Sequence, residues 1–338
     1  MTNRKTLVVG AGITGGALAR LLHDAKRSLQ YAGEVLVWEK SNIAGGRMMA
    51  RSFRKNRNVH VDMGAQYLTK FTSANDDVRE MLLQHEKLSV FEDREILQDP
   101  TRALPKDVQH HTVAHHALGF RSVVEYLLTD ATLQVSREVE RFEVLDANHI
   151  KVTSTDGHEE VVQDLVLTCP IPNVLSILDK SAFQPAPQQL QALQRVDKYV
   201  TKDEDPIVRF LCWDNLKKNQ AGDSFALLVH TGVPFGAQHM DNKDQNDEIL
   251  ATIVQCVHKL LAFLPEPKDT ILHRWRMSQV TKPYSESADA TAAPVPSITL
   301  SSSPRIVLAG DAFLGSVFDN CLLSAKHAAS TLLETSGL

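Results

Sequence analysis

The sequence predicts an α/β fold, a doubly wound Rossmann-like sheet interrupted by a second domain. Three features predict it. A β-branched run at Thr6–Val9 ends in Gly10-Ala11-Gly12-Ile13-Thr14-Gly15 and passes at once into a helical pattern of Ala17, Leu18, Leu21 and Leu22. A second apolar run, Glu34–Trp38, delivers Glu39 to its C-terminal end. A third, Arg305–Ala309, lies near the other end of the chain and finishes in Gly310-Asp311.

The first element is GxGxxG in its required setting, strand before and helix after. Its first glycine makes the tight turn and its second lets a pyrophosphate approach the backbone. The third lets the helix lie close to the strand, and the helix N-terminus faces the phosphates with unpaired N–H groups. Glu39 follows near the ~20-residue spacing at which an acid grips a ribose hydroxyl. A dinucleotide is therefore expected here. Next comes Gly45-Gly46-Arg47-Met48, a return of the chain that a nicotinamide domain does not need. Its glycines allow close approach, and Arg47 offers donors to a phosphate or a flavin. Val61–Tyr67 reads as a further strand ending in a glycine turn at Gly64.

At the C-terminal end, Asp311 is placed to accept from a ribityl hydroxyl. The final helix, expected over 320–333, carries Leu322, Leu323, Ala325, Ala329 and Leu332 on its apolar face. Its N-terminus supports negative charge at the flavin O2. NAD has no ribityl chain, so the arrangement favours FAD. The FAD domain is expected to be discontinuous, comprising 1–67, 118–177 and 298–338. Its middle piece supplies a helix at Ser122–Leu128, a β-meander through Val135–Val152 and a strand at Val161–Thr168. The inserted pieces, 68–117 and 178–297, form the substrate domain, with Pro185, Pro187, Pro294 and Pro296 marking crossings.

Composition narrows the function classes. A chain of 338 residues, 43% hydrophobic and 23% charged, is ordinary for a globular protein of about two domains. A net charge of −5 argues against nucleic acid, which asks for a basic face. No apolar run approaches the ~20 residues of a membrane span, and reading the N-terminus as a signal peptide would remove the glycine loop. Cys169, Cys212, Cys256 and Cys321 form no CxxC pair. The expectation is a cytoplasmic monomer with reduced thiols. His110-His111 and His115-His116 read as a loop without Cys or carboxylate partners, so no metal is expected. Lys217-Lys218, Arg51–Arg57, Asp76-Asp77 and Asp203–Asp205 read as solvated surface charge.

The chain resembles the renalase-like FAD-dependent oxidases of the amine-oxidase-like flavoprotein superfamily. The likeness covers most of its length, through VVGAGITGG, VWEKSNIAGGRM, VDMGAQYLT, LVLTCPIPNVL, LLVHTGVPFG, RWRMSQVT and LAGDAFLGSVFDNCLLSA. The glycine motifs speak only for the superfamily. The blocks at His230–Gly236 and Trp275–Val280 are the specific ones.

The resemblance implies a p-hydroxybenzoate hydroxylase/amine-oxidase-like FAD domain with a mixed-sheet substrate domain. It also implies oxidation of isomeric dihydro-NAD(P), the 2- and 6-dihydro forms, to NAD(P)+ by hydride transfer to flavin N5. O2 then reoxidises the flavin and leaves as hydrogen peroxide. It assigns to the cofactor Gly10, Gly12, Ile13, Thr14, Gly15, Glu39, Lys40, Gly46, Arg47, Met48, Gly64, Ala65, Gln66, Val139, Asp311 and Asn320. To the substrate it assigns His230, Trp275, Gln279, Gln66 and Phe318. No side chain is expected to be catalytic, since the flavin carries the chemistry. The surroundings of Cys321 lack the pattern of covalent amine oxidases, so noncovalent FAD is expected.

One departure stands out. Between Val196 and Pro206 relatives carry a longer stretch, whereas here the interval Asp197–Asp205 is short and charged. Two alternatives therefore stay open. One is an amine oxidase of the same superfamily, which needs an aromatic cage that 6% aromatics does not favour. The other is a shortened FAD-binding form without full activity.

Overall fold

The computed structural model describes residues 4–91, 110–113, 118–196, 207–218, 225–286 and 293–334. The interval 197–205, the acidic run 203–205 within it, and His115-His116 lie outside these residues.

The centre is a six-stranded sheet in the order Ser297–Ser302, Arg305–Ala309, Asp164–Leu167, Arg4–Val9, Gly33–Trp38, Thr132–Gln134. All neighbours are parallel except the first pair. The Rossmann-like α/β class is thus the observed one. The inner strands read as continuous apolar runs because both faces are covered. Val8, Val37, Val166 and Val307 face helices Ile13–Arg27, Arg121–Leu127 and Phe318–Leu333. Leu7, Val9, Trp38, Leu165, Leu167, Ile306 and Leu308 face the meander and helix Ile171–Lys180. That alternation is the two-residue period of a strand.

At the edge opposite the glycine loop, buried Asp164 accepts from Arg4 Nη2 at 2.6 Å, Arg305 Nε at 2.7 Å and Thr6 Oγ1 at 2.9 Å. Three neighbouring strands are pinned there by one carboxylate.

The expected meander is a separate antiparallel sheet, Val139–Val144, Ile150–Ser154 and Glu159–Val162. The strand expected over 161–168 is divided, so that Val162 ends the meander and Asp164 begins the central sheet. The substrate half was expected to carry a mixed sheet. Among the described residues its ladders are antiparallel: Val208–Trp213 with Leu227–Thr231, and Leu68–Thr69, His110–Thr112 and Ser89–Phe91. The parallel-and-antiparallel sheet is the dinucleotide domain's own. His110-His111, read as loop, lie in one of these strands, and buried His111 faces Arg79 at 3.3 Å from Nδ1.

Ala50–Ser52 and His60–Asp62 form an antiparallel pair. Its Val61, with Phe53 and Val59, packs on Phe210, Cys212, Ala226 and Leu228. No helix of the described residues is long and apolar enough to cross a membrane.

Candidate functional site

The glycine loop opens at the carboxyl ends of the parallel strands, where ligands of open α/β sheets bind. Its three glycines have different reasons for lacking a side chain. Gly10 has φ +109°, and an added Cβ would lie 2.8 Å from Thr168 Oγ1. At Gly15 an added Cβ would lie 2.0 Å from the Gly10 carbonyl oxygen, so this glycine lets the helix meet the strand. An added Cβ at Gly12 meets nothing within 4 Å. The protein does not need Gly12 bare, but a ligand lying on the loop does.

The surrounding groups complete this cradle. Gly46 approaches so closely that its Cβ would stand 3.2 Å from Gly12 Cα, and Gly45 N–H donates to Ala11 O at 2.9 Å. Glu39 is buried, and its two oxygens accept from Ala11 N and Ser41 N, both at 2.8 Å. This fixes the carboxylate at the strand end, with lone pairs remaining on each oxygen. Thr168 donates to the Val9 and Gly10 carbonyls at 2.9 and 3.2 Å. Its role comes from strand neighbours far apart in sequence.

Arg47 and Asp311, assigned separately to the cofactor, are paired with each other. Arg47 Nη1 donates to Asp311 Oδ2 at 2.6 Å and to Ser278 O at 3.3 Å, and Ser316 Oγ donates to the same carboxylate oxygen. Burial alone would raise the Asp311 pKa, but the hydrogen bond and charge of Arg47 turn the shift downward. The carboxylate therefore contributes stability above the ordinary carboxyl range that is lost as pH falls through its depressed value. Arg47→Met should lower apoprotein stability by roughly 1–3 kcal/mol near neutral pH. The gap between the two proteins should narrow only as pH falls below the ordinary carboxyl range and close once it passes the depressed Asp311 value. Thermal unfolding across that range checks it, and a pH-independent gap would refute the pairing.

The third wall centres on one carbonyl. His230 Nε2 lies 3.0 Å from Met63 O, and Trp275 Nε1 donates to the same oxygen at 3.3 Å. His230 belongs to strand Leu227–Thr231, while Trp275 lies in irregular chain with His273 edge-on at 4.3 Å. Gly64 permits the approach: its Cβ would stand 1.9 Å from Arg47 O and 3.4 Å from Trp275 Cζ2. Nε2 of His230 and Nε1 of Trp275 thus both point at the backbone. Their rings form the wall.

Gln66 is buried, donating to Asp62 O and Gly64 O at 2.7 and 3.1 Å and accepting from Lys217 Nζ at 3.0 Å. This overturns the reading of Lys217-Lys218 as solvated charge. Both are buried with Asp62 and Asp214. Lys217 Nζ reaches Asp62 Oδ2 at 2.8 Å and Asp214 Oδ1 at 3.0 Å, and Lys218 Nζ reaches Asp214 Oδ2 at 2.5 Å. Burial opposes the Lys217 charge, and the two carboxylates outweigh it and raise its pKa. The only sequence trace of this network is Asp214 three and four residues before the lysines, a spacing that surface pairs share.

These walls line one open cleft of about 3430 Å³. Gly10, Gly12, Ile13, Thr14, Gly15, Glu39, Lys40, Gly46, Arg47, Met48, Gly64, Ala65, Gln66, Val139 and Asp311 line it, as do His230, Trp275, Gln279 and Phe318. Asn320 does not; its amide donates to Leu314 O. Phe318 is largely core, beneath the Arg79 guanidinium at 5.2 Å. Cys169 and Cys321 also border the cavity, and burial pushes both thiols up to about 12, so they are protonated.

Comparison with known proteins agrees with this architecture. A family model described as flavin containing amine oxidoreductase matches residues 102–333, and one for a NAD(P)-binding Rossmann-like domain matches 8–84. Renalase from Mus musculus is 29% identical over 359 aligned residues, covering 97% of this chain and 98% of the relative.

Proposed function

This chain belongs to the flavin-containing amine oxidoreductases and is a renalase-like flavoprotein, and on that premise we propose that it oxidises the 2- and 6-dihydro isomers of NAD(P)H to NAD(P)+, using noncovalently bound FAD and O2. The observation that carries the reading is the size and lining of the cavity. At about 3430 Å³ it exceeds the ~300–1,000 Å³ of a pocket for one small ligand, leaving room for a second dinucleotide beside the cofactor.

The residues divide the work. Gly12 and Gly46 leave the pyrophosphate its approach, and Glu39, held by Ala11 N and Ser41 N, receives the ribose. Arg47 and Asp311 form a fixed dipole at the flavin end. When bound, FAD would supply the hydride acceptor and, with protons from solvent, the route by which the electron pair reduces O2 to hydrogen peroxide. Trp275 and His230 present ring faces against which a dihydropyridine stacks, with Gln279 at the exposed rim. Protonated Cys169 and Cys321 are poor nucleophiles, which supports noncovalent binding.

The test is anaerobic mixing of the yellow holoprotein with 6-dihydro-NAD, followed in the flavin band near ~450 nm. Rapid bleaching, with recovery and peroxide release on admitting O2, is the expected outcome. Bleaching by amines alone would replace this reading with amine oxidation. A flavin that no candidate reductant bleaches would mark the chain as a binding protein.

A further inference from the structure

We propose that Arg51 and His273 form a phosphate subsite on the cleft wall, which takes a phosphate of the dinucleotide substrate and stands apart from the glycine loop that serves the cofactor. The proposal rests on the reading of the cleft as a dihydro-NAD(P) site.

Backbone register puts Arg51 on this wall. Arg51 pairs with Val61 across the antiparallel strands, and Met63 N–H donates to Met49 O at 3.0 Å. Residues 49, 51, 61 and 63 therefore share one face of the pair, by the two-residue period of a strand. All four line the cleft. Arg51 is exposed, as its sequence context suggested, but the solvent it meets is that of the cleft.

His273 arrives from a distant segment. Trp275 Nε1 donates to Met63 O, and His273 stands edge-on to Trp275 with ring centroids 4.3 Å apart. Burial first, and then the Arg51 charge, lower the His273 pKa. His273 is thus neutral near pH 7 and keeps one N–H to donate.

The protein answers neither group. Among the described residues, neither side chain has a hydrogen-bond or ion-pair partner. The carboxylates of the segment before His273 are engaged elsewhere. Asp269 accepts from the backbone N–H of Lys55 and Thr270 at 3.0 and 2.9 Å, and Glu266 lies 3.7 Å from His258. The whole lining has the same bias, with eleven lysines and arginines against six carboxylates, on a chain of net charge −5. A cleft of that sign concentrates anions. An unpaired guanidinium beside an N–H donor matches the oxygens of a phosphate.

The test is calorimetric titration of the holoprotein, its flavin site filled, with NAD+, NADP+ and nicotinamide riboside at ~0.15 M salt. Arg51→Gln should weaken dinucleotide binding by about tenfold and leave the riboside, which has no phosphate, unchanged. Arg51 is exposed and unpartnered, so this variant should unfold at the wild-type temperature. His273→Phe keeps the ring contact with Trp275 but loses the donor, and should weaken the same ligand by about threefold. Equal losses for NAD+ and NADP+ support the subsite as one for the pyrophosphate; a loss confined to NADP+ supports it as one for the 2′-phosphate. Arg276→Gln removes a cation that Asp241 already neutralises and should change nothing. Wild-type affinity in Arg51→Gln or His273→Phe overturns the proposal. So does an equal loss for the riboside, a comparable loss in Arg276→Gln, or no dinucleotide binding by the wild type. Bleaching by 6-dihydro-NAD is read separately. If it fails while NAD+ binding still depends on Arg51, the oxidase reading falls and the subsite stands; the converse result leaves the oxidase reading standing.

Discussion

Gly15→Ala is expected to destabilise the apoprotein by about 3 kcal/mol or more, whereas Gly12→Ala should leave its stability within about 0.5 kcal/mol and lose the flavin. The two glycines belong to one motif and differ in what faces them. An alanine methyl at Gly15 would stand 2.0 Å from the Gly10 carbonyl oxygen and 3.2 Å from the carbonyl carbon. Both belong to backbone held in place, with Gly10 N–H donating to Trp38 O at 2.8 Å and Thr168 donating to Gly10 O. Relief therefore requires the helix Ile13–Arg27 to move off the central strand, opening the core around Ala17, Leu18 and Leu22.

Gly12 is the extended N-cap of that helix, with φ −89° and ψ −168°, a conformation any residue adopts. Its methyl would enter empty space over the cradle, where the proposed FAD would lay its pyrophosphate. Urea unfolding of both apoproteins and flavin titration of Gly12→Ala check the pair. A fall in FAD affinity of at least about tenfold is expected for Gly12→Ala. A stable Gly15→Ala, or full-affinity FAD binding by Gly12→Ala, would refute this account of the loop.

Lys217→Met should cost roughly 3–5 kcal/mol. Lys217 bridges both buried carboxylates and Gln66. Without it, Asp62 and Asp214 share Lys218, which lies 3.5 Å from Asp62 Oδ2. Desolvation makes an uncompensated buried carboxylate expensive, so the loss exceeds that of any exposed pair in the chain. Asp62→Asn removes one charge while leaving an oxygen for Phe120 N–H, which Asp62 Oδ1 accepts at 2.8 Å. Lys217→Met with Asp62→Asn should therefore be more stable than Lys217→Met alone. Thermal unfolding of the three variants decides it, and strictly additive losses would show that the charges do not interact.

Some of the site was legible because its causes are local. The strand, glycine loop and helix at residues 4–27 are written in a two-residue period, a glycine spacing and a helical period. The GGR return is written in glycines at Gly45 and Gly46, which hold φ +127° and +53°. The helix expected over 320–333 was found at Phe318–Leu333, since its apolar stripe marks it whatever it packs on. The charged residues were not legible in this way. Lys217-Lys218 look like any lysine pair, and their meaning lies in Asp62, 155 positions away. Asn320 stands inside a matching block, yet its amide turns to Leu314 O because the chain folds back there.

The sequence by itself determined the α/β class and the glycine loop with the strand before it and the helix after it. Each follows from local conformational preference and from which faces must be buried. Tertiary structure alone decided which charges are buried and that Arg47 and Asp311 answer each other across 264 positions. The physical reason is common to both. A charge or a proton is placed by the groups that surround it in space, and those come from segments whose proximity no local pattern encodes.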